Sequence, residues 1–329
     1  MPDNWASVEF KHLRALKAVA KARTFWAAAQ ALNTSQSSIS DYVAALEALT
    51  GQRLIERSRG RRTVELTQAG RLLLGHADSI EARLRAAEAD FRSLAAGQSG
   101  TLRVGIYQSV ANKLLPEVMR RFRESRPQVD IQLAEQMDTE ELVAAVERGE
   151  LDLSFAVKPV PEGPLEIREL MRDPYLLITA AGSPLASRRP KVAELKDVPM
   201  VGYYPGPTED VPEAFLRGRG ITPRFVFRSN DNGTVQGMVG AGIGVALAPL
   251  LAVDETDPKI ALVELADPIP PRVLAMVWHR DRYRPPAAET FIEMAAAVAR
   301  EVERSHNEIL AKRGSRFALR SRRARRDRA

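Results

Sequence analysis

The chain has 329 residues, of which 45% are hydrophobic and 27% are charged, so it is long enough for two or three domains with apolar cores. It contains no cysteine, which excludes disulfides, thiolate nucleophiles and cysteine metal sites and agrees with a reducing compartment. The sequence shows no signal peptide and no apolar run that could span a bilayer, so we expect a cytoplasmic protein with no membrane partner.

The formal net charge of +6 is distributed unevenly along the chain. Residues 1–66 carry ten Lys or Arg against six Asp or Glu, and residues 304–329 carry ten against two. The two ends sum to +12, so the span between them is close to −6. A basic head and a very basic tail therefore flank a mildly acidic middle, and the high isoelectric point does not describe the whole molecule.

The most informative segment is residues 25–47, FWAAAQALNTSQSSISDYVAALE, which predicts two helices joined by a polar turn. In the second helix Ile39, Val43 and Leu46 recur at helical spacing and would pack on the first helix. The first turns of that helix carry short hydrogen-bonding side chains: Ser35, Gln36, Ser37, Ser38 and Ser40. This is a helix-turn-helix in form, whose polar side chains could reach base edges in the major groove. The alternative is an ordinary helix pair with a serine-rich cap.

A basic hairpin is predicted directly after the helix pair. Residues 54–55 and 64–66 look like two short strands, and their connection is almost entirely arginine, serine and glycine. Arg59, Arg61 and Arg62 in this connection could pair with phosphate oxygens, which makes the hairpin a candidate wing on DNA. A solvated basic turn is the alternative. The order of the elements favours a winged helix-turn-helix over residues 1–66.

Residues 67–99 are predicted to form a long helix that ends at a glycine-containing segment. Its apolar residues alternate in steps of four and three, which is a heptad pattern: Leu73, Ala77, Ile80, Leu84, Ala87, Phe91 and Leu94. Charged residues flank this pattern. We interpret the helix as a dimerisation linker, with packing against the protein's own body as the alternative.

Residues 100–303 alternate between strand and helix patterns. TLRVGIY, VDIQLAEQ and LDLSFAV are separated by helical stretches, the first of them over about residues 111–125, which predicts a parallel sheet with right-handed crossovers. A second set contains YLLITAA, PMVGYY, RFVFRS and GVALAPL. Two such halves suggest two subdomains around a ligand cleft.

The chain resembles the LysR-type transcriptional regulators over nearly its full length. The resemblance rests on AAAQALNTSQSSISDYVAALEALTGQRLIERSRGRRTVELTQAG, LRVGIYQSVANKLLPEVMRRFRESRPQVDI, GELDLSFAV, GSPLA and VGAGIGVALAP, which follow in the family's order. It implies an α/β protein with an all-α-dominated N-terminal winged helix-turn-helix, a long linker helix and a two-subdomain effector domain like that of periplasmic binding proteins. It also implies a homodimer or homotetramer that binds double-stranded promoter DNA and a small-molecule effector, with carboxylates a frequent class.

The resemblance places DNA contacts on Ser35, Gln36, Ser37, Ser38 and Ser40, supported by Arg59, Arg61 and Arg62 of the wing. Gln36 is the favoured base reader, because an amide can bridge both edge groups of adenine. Three residues depart from the family pattern. Asp41 replaces a basic or amide residue, Ser37 replaces a proline, and Thr34 replaces an aliphatic residue. The contacts of the second helical turn are therefore harder to assign.

The family's effector contacts correspond here to a set of polar and aromatic residues: Tyr107, Gln108, Ser109, Asp138, Thr139, Tyr203, Tyr204, Asn230, Asn232 and Thr234. A hydroxyl such as that of Ser109 beside exposed helix N–H groups would suit a carboxylate. Tyr107 stands where a small polar residue is common and could reshape the pocket. Capping or turn chemistry is the alternative for each of these residues. The identity of the effector does not follow from them.

No enzyme, cofactor or metal site is predicted. The four histidines are scattered, and neither a P-loop nor a nucleophile elbow is present. Residues 240–244, GAGIG, follow a helix and precede a strand, the reverse of a dinucleotide fingerprint, so we interpret them as a tight turn. A non-specific basic DNA-binding protein and a solute-binding protein remain as alternatives to a ligand-responsive regulator.

The resemblance leaves residues 304–329 unexplained. Their arginine density and lack of apolar periodicity predict disorder. Two roles are open for this tail, namely extra sequence-independent affinity for DNA through counterion release and simple solubilisation. The operator, the target genes and the choice between activation and repression are also open.

Overall fold

The structure is a computed structural model that describes residues 5–56, 63–96, 100–205 and 211–326. The chain divides into two compact units, Met1–Glu88 and Ala89–Ala329, and each is described by itself. Among the described residues, none of the helices combines the length and the apolar character needed to cross a membrane.

The first unit is a small helical domain with a two-stranded hairpin. Its elements are α1 (Phe10–Ala22), α2 (Phe25–Ala31), α3 (Gln36–Thr50), β1 (Ile55–Glu56), β2 (Glu65–Leu66) and the first part of α4 (Gln68–Ala96). Strands β1 and β2 are antiparallel. The core contains Leu16, Val19, Ile39 and Leu46, whose side chains are at most 1% exposed. The predicted winged helix-turn-helix is confirmed.

Helix α4 packs tightly against the hairpin at its first turn. Thr67 Oγ1 accepts a hydrogen bond from the Gly70 N–H at 3.0 Å and donates one to the Arg53 carbonyl at 2.6 Å. A Cβ on Gly70 would lie only 2.1 Å from the Leu54 carbonyl oxygen, so glycine is required by this close approach. The start of α4 is thus fixed to the strand before it.

The second unit begins with a five-stranded sheet, which we call the first subdomain. Its elements are β3 (Thr101–Ile106), α5 (Gln108–Lys113), α6 (Leu115–Ser125), β4 (Asp130–Glu135), α7 (Thr139–Glu147), β5 (Leu153–Val157), β6 (Leu165–Asp173), β12 (Arg272–His279) and α10 (Pro286–Arg326). The strand order is β4-β3-β5-β12-β6. The predicted parallel arrangement holds for β3, β4 and β5, whereas β12 runs antiparallel to both of its neighbours.

The second subdomain is inserted between β6 and β12. Its elements are β7 (Tyr175–Ala180), β8 (Pro199–Gly202), α8 (Val211–Arg217), β9 (Arg224–Arg228), α9 (Asn232–Gly240), β10 (Ala246–Pro249) and β11 (Ile260–Val263). Strands β10, β7 and β11 form one antiparallel sheet, and β8 and β9 form a parallel pair. Gly242 has φ +78° between α9 and β10, so the tight turn predicted for residues 240–244 is confirmed.

The sequence patterns missed part of the second unit. Strands β6, β11 and β12 were not predicted, although β6 and β12 carry the chain into and out of the second subdomain. The helix expected over residues 111–125 is instead two helices that meet at Leu114. Pro116 explains this break, because proline lacks an N–H and its ring clashes with the carbonyl of residue i−4.

The disorder predicted for residues 304–329 is wrong for the residues that the structure describes, since α10 continues to Arg326. His306 is 6% exposed, and Leu310 packs against the core of the second subdomain. Helix propagation is favourable once a helix is nucleated, and the packed first part of α10 supplies the nucleus. The boundary expected at residue 303 therefore falls inside a helix that is still packed.

Candidate DNA-binding and effector sites

Side-chain caps and one left-handed residue define the turn between α2 and α3. Thr24 Oγ1 accepts a hydrogen bond from the Ala27 N–H at 3.2 Å at the start of α2. Asn33 has φ +49°, a conformation that asparagine tolerates better than most residues. Ser35 Oγ accepts from the Ser38 N–H at 3.1 Å and starts α3.

Helix α3 has one apolar face in the core and one polar face in solvent. The apolar face is formed by three side chains that are at most 1% exposed: Ile39, Val43 and Leu46. Gln36 and Ser37 are exposed, and Ser40 is half-buried one turn after Gln36. The exposed carboxylate of Asp41 lies one turn after Ser37. Three neutral hydrogen-bonding groups and one carboxylate therefore form the surface that a duplex would meet.

The capping interpretation of the serine cluster holds for Ser35, and base contact stays a prediction. Ser35 Oγ lies 2.8 Å from both Ser37 Oγ and Ser38 Oγ and caps the helix. Its lone pairs are therefore largely used inside the protein. Gln36 and Ser40 have no part in this cap. They are the better candidates for base contacts.

The hairpin is tied to α3 by Glu47. Its Oε1 accepts from the Leu54 N–H at 2.8 Å and from the Ile55 N–H at 3.3 Å. These two hydrogen bonds fix the start of the hairpin relative to α3. The arginines predicted for the wing, Arg59, Arg61 and Arg62, lie outside the described residues, so their role stays a prediction.

The heptad pattern of α4 divides into a buried and an exposed part. Leu73 and Ala77 are 6% and 2% exposed and belong to the core of the first unit. Ile80, Leu84 and Phe91 are 47%, 55% and 74% exposed, and Ala87 is also exposed. Leu94 lies outside the described side chains. Packing against the protein's own body therefore holds for Leu73 and Ala77, and dimerisation through the exposed part of the pattern stays a prediction.

An open apolar cleft of about 510 Å³ lies beside this exposed part in the first unit. It is lined by Trp5, Val8, Phe10, Leu13, Leu73, His76 and Ile80. Lys17 Nζ holds α4 to α1 nearby, at 2.7 Å from Asp78 Oδ1 and 2.6 Å from Glu81 Oε2. These hydrogen-bonded carboxylates raise the pKa of the Lys17 amine.

Gln108 joins the two subdomains of the second unit. As the first residue of α5, it donates from Nε2 to Asp231 Oδ2 at 2.7 Å and accepts at Oε1 from the Asn232 N–H at 2.9 Å. Asp231 caps α9 by accepting from the Thr234 N–H at 2.6 Å. The hydrogen bonds from Gln108 and Thr234 lower the pKa of the Asp231 carboxyl. Of the residues predicted here, the structure brings Gln108 and Asn232 together.

Tyr203 and Tyr204 lie after β8, next to the start of α9. The Tyr204 N–H donates to Asn230 Oδ1 at 3.0 Å, and the Tyr204 side chain is 59% exposed. Arg228 donates to the Tyr203 carbonyl and forms a 2.7 Å ion pair with Glu213 Oε1. Asn230 thus orders the backbone at this side of the cleft.

Ser109 and Tyr107 are buried instead of lining an open surface. Ser109 is 3% exposed, and its Oγ accepts from Arg272 Nη2 at 2.9 Å. Arg272 also pairs with Asp173 Oδ2 at 2.8 Å. Tyr107 is 6% exposed, and burial raises the pKa of its hydroxyl. The Ser109 hydroxyl is thus already bonded to Arg272, and its contact with an effector stays a prediction.

Arg272 and Asp173 form the hinge pair where β6 and β12 leave the first subdomain. The two residues are register partners, and Asp173 Oδ1 also accepts from the Leu251 N–H at 3.0 Å. Burial by itself would lower the pKa of Arg272, but Asp173, Tyr107 and Tyr175 together outweigh it and the pKa is raised. His306 of α10 places Nδ1 3.8 Å from Asp173 Oδ1.

The sequence analysis missed these hinge residues and Asp231. Asp173 and Arg272 are 99 residues apart, and β12 had not been predicted, so the sequence carries no local signal for their pairing. Asp231 could have been found, because aspartate is a preferred N-cap residue and Asp231 directly precedes helix α9. Asp138 and Thr139 instead open α7, where Asp138 Oδ1 accepts from the Glu140 N–H at 2.9 Å.

No three His, Asp or Glu side chains in the described part of the chain could hold a metal ion together. Two family descriptions match the chain: "Bacterial regulatory helix-turn-helix protein, lysR family" over residues 10–71 and "LysR substrate binding domain" over residues 95–300. The chain belongs to the LysR family. It is a DNA-binding transcriptional regulator of this type, with an effector-binding domain after its helix-turn-helix.

Curated relatives cover nearly the whole LysR-type chain. A probable hydrogen peroxide-inducible genes activator of Mycobacterium avium is 31% identical over 321 residues, which is 95% of this chain and 100% of that protein. The HTH-type transcriptional regulator IlvR of Caulobacter vibrioides is 31% identical over 290 residues, or 84% of this chain and 94% of that protein.

Solved structures share the LysR-type architecture. Full-length CbnR, crystallised with its target DNA, matches with a TM-score of 0.61 at 25% identity and covers 88% of this chain and 99% of its own. A full-length cysteine variant of OxyR from Pseudomonas aeruginosa matches with a TM-score of 0.60 at 25% identity, with 89% and 96% covered. The present chain has no cysteine, so it cannot sense through a thiol or a disulfide.

Proposed function

We propose that this regulator reads its operator through the exposed face of α3 and that its effector acts by displacing Gln108 from the cleft between the two subdomains. The observation that carries the proposal is the pair of hydrogen bonds from Gln108 to Asp231 and to the Asn232 N–H, at 2.7 and 2.9 Å. They connect the two subdomains directly, so a molecule that enters between them must break them.

Base reading is assigned to Gln36, with support from Ser37 and Ser40. The exposure of the neutral Gln36 and Ser37 side chains supports direct reading, because donors and acceptors distinguish bases whereas charge alone does not. A non-specific basic DNA-binding protein would instead need cations on this face. We propose contacts to phosphate for Arg59, Arg61 and Arg62 of the hairpin.

Dimerisation is assigned to the exposed part of the α4 heptad pattern. Ile80, Leu84 and Phe91 together form an apolar stripe that a monomer would leave in water. A second copy of α4 would bury it, and the two-fold axis would present two α3 helices to two half-sites. The exposure of these three side chains supports this proposal.

The effector is proposed to bring an acceptor atom to the start of α9. In the present state the amide oxygen of Gln108 accepts from the Asn232 N–H at 2.9 Å. A carboxylate oxygen of an effector suits the same position, because backbone N–H groups at a helix N-terminus favour anions. The exposed Tyr204 side chain lies beside it for an apolar or aromatic part of the molecule.

We further propose that the protein acts by binding and not by catalysis, and that it does so in the cytoplasm. Membership of a family of transcriptional regulators supports the first point. The second follows from its DNA partner, because a bacterial chromosome lies in the cytoplasm. A solute-binding protein would share the two subdomains but would have no use for the first unit.

The decisive experiment maps the operator genome-wide and then footprints it with Gln108→Ala. We expect the variant, without effector, to give the footprint that the wild type gives with effector, since the bridge is already broken. Amide exchange at Asn232 should also rise. Gln132→Ala is the matched control, because its side chain donates to Asp130 at 3.4 Å within its own strand. A Gln108→Ala footprint equal to that of the unliganded wild type would contradict the proposal.

A further inference from the structure

The C-terminal part of α10 carries a cationic face that the operator-reading unit does not explain. Residues 312–326 contain eight Lys or Arg and no Asp or Glu. Lys312, Arg316, Arg320 and Arg323 recur at intervals of four, four and three residues. In the α-helix that the backbone forms here, this spacing places all four positions on one side. We refer to these four residues as the basic stripe.

The basic stripe continues from a firmly anchored helix. Glu301 of α10 pairs with Arg121 at 2.6 Å, and Glu303 accepts from the Arg172 N–H at 3.0 Å. Phe291 packs edge-to-face on Phe122 with ring centroids 5.5 Å apart. The anchored part also includes the buried His306 and the packed Leu310. The helix direction is thus set by the second unit before the stripe begins.

The stripe is unfavourable for an isolated helix. Like charges four residues apart repel one another on a helix surface, and here the repulsion is repeated along successive turns. A folded segment that concentrates its cations in this way gains most from a partner that supplies regularly spaced negative charge. The stripe spans about 16 Å along the helix axis, and over that length duplex DNA carries roughly nine negative charges.

The remaining residues of the segment argue against a membrane or a protein groove as the partner. An amphipathic helix on either needs an apolar face opposite its basic one. Phe317 and Leu319 occupy positions on nearly opposite sides of the helix axis. The segment therefore carries the basic stripe on one side, four further arginines at other helix positions and no continuous apolar side.

We propose that the basic stripe is a second DNA-binding surface, which contacts phosphates without reading sequence. It would neutralise phosphates and release their counterions. The stripe therefore adds to the affinity for operator and random DNA alike and leaves the ratio between them unchanged. The DNA contacts of the first unit give specificity, and the stripe gives retention on DNA.

The test uses the full chain and a variant in which the four stripe residues are replaced together: Lys312→Gln, Arg316→Gln, Arg320→Gln and Arg323→Gln. Glutamine keeps helix propensity close to that of Lys and Arg. The matched control removes four charges from the same end of the chain outside the stripe: Arg322→Gln, Arg325→Gln, Arg326→Gln and Arg328→Gln. Binding to a fluorescent random-sequence duplex is measured from about 50 to 200 mM salt, the range over which phosphate contacts are most evident.

We expect the stripe variant to lose at least about tenfold in affinity at the lowest salt and to lower the log–log salt slope by roughly two to four, since each lost phosphate contact removes about 0.9. The control should lower the slope by less than about one. Circular dichroism and melting of both variants establish that the fold is kept. The ratio of operator to random-DNA affinity should not change.

Three results would overturn the proposal. An unchanged salt slope in the stripe variant would remove DNA as the partner. Equal losses in the stripe and control variants would show that net charge, and not one helix face, is responsible. Loss of binding to phosphatidylglycerol vesicles with unchanged DNA affinity would assign the stripe to a membrane.

Discussion

Gln36 and Asp41 lie on the same exposed face of α3 and have opposite effects on a nucleic acid. The amide of Gln36 can donate to and accept from an adenine edge, whereas the Asp41 carboxylate repels phosphates unless it accepts from a cytosine amino group. Ser35, by contrast, is occupied as the helix cap. These three residues thus differ in what they can offer to DNA: a neutral amide in Gln36, a carboxylate in Asp41, and in Ser35 a hydroxyl that is already used in the cap.

Gln36→Ala should reduce affinity for the operator while leaving affinity for random DNA nearly unchanged. A bidentate contact to a base is worth about 1–3 kcal/mol of discrimination, which is roughly a five- to 150-fold loss at the operator. Fluorescence anisotropy measures the affinities of the variant and the wild type for the operator duplex and for a random duplex. Gln52→Ala is a suitable control, because Gln52 is an exposed amide of the same unit that lies after the end of α3 and outside the predicted contacts. Equal losses on both duplexes would contradict base reading by Gln36.

Asp173→Ala should strongly destabilise the second unit. It would leave Arg272 buried without its carboxylate partner, and breaking a buried ion pair in this way costs about 3–5 kcal/mol. Chemical denaturation of the full chain gives the free energy of unfolding. Glu169→Ala removes an exposed pair with Lys158 at 2.6 Å and should cost only about 0–1 kcal/mol. Similar costs for the two variants would show that the hinge pair is not the important contact.

Helices α4 and α10 both start with residues that pack in a core, and both continue past the last packed residue, Ala77 in α4 and Leu310 in α10. In α4 the apolar residues that leave the core keep the same heptad pattern, which points to a second helix. In α10 the sequence after the packed Leu310 is rich in cations, which points to a polyanion. One long helix can thus serve packing at one end and binding at the other, because each turn is stabilised by its own neighbours.

Leu84→Asp should convert the protein to a monomer in analytical ultracentrifugation, because it places a charge within the apolar stripe. Leu72→Asp is the matched control. Leu72 is also on α4 and is 67% exposed, but it lies outside the heptad positions. We expect Leu72→Asp to remain associated like the wild type. If both variants dissociate equally, the stripe has no special part in dimerisation.

His306 should make the stability of the second unit depend on pH. Burial lowers the pKa of His306 below 6.5, and Lys113 acts in the same direction. The carboxylates of Asp173, Glu255 and Glu303 oppose this shift but do not cancel it. The unfolded chain therefore binds a proton that the folded chain does not. Stability is fully present above pH 6.5 and is lost as the pH falls towards the folded pKa.

The free energy of unfolding should accordingly decrease as the pH is lowered from about 7 to 5.5, and His306→Gln should flatten this decrease. Urea denaturation at several pH values measures the free energy of unfolding of the wild type and of His306→Gln. His76→Gln serves as the control, because His76 is exposed and belongs to the other unit. A pH dependence that persists in His306→Gln would assign it to other groups.

The whole molecule combines two units with different relations to their partners. We propose that the first unit contacts DNA through the exposed face of α3 and the arginines of the hairpin, and the second unit holds a cleft bridged by Gln108. Its relatives include a probable peroxide-inducible activator, yet this chain contains no cysteine. We propose that its regulatory signal is a small molecule that binds at the bridged cleft.

Local patterns in the sequence were sufficient for the first unit, the linker helix and the parallel strands. Helix caps, the 3.6-residue and heptad repeats and the glycine turn all act between residues a few positions apart, so they can be recognised in the sequence. The face of α3 that is exposed followed directly from the spacing of Ile39, Val43 and Leu46.

Three features depend on the tertiary structure alone: the Asp173–Arg272 hinge pair, the hydrogen bonds of Gln108 across the cleft, and the helical continuation of the chain after residue 304. Asp173 meets Arg272 across 99 residues and Gln108 meets Asp231 across 123, and no local pattern encodes such distances. Ser109 is buried because Arg272 arrives from a distant strand. The composition of the tail alone predicts disorder. It continues as a helix because the packed part of α10 supplies the helix nucleus, and propagation from a nucleus is favourable.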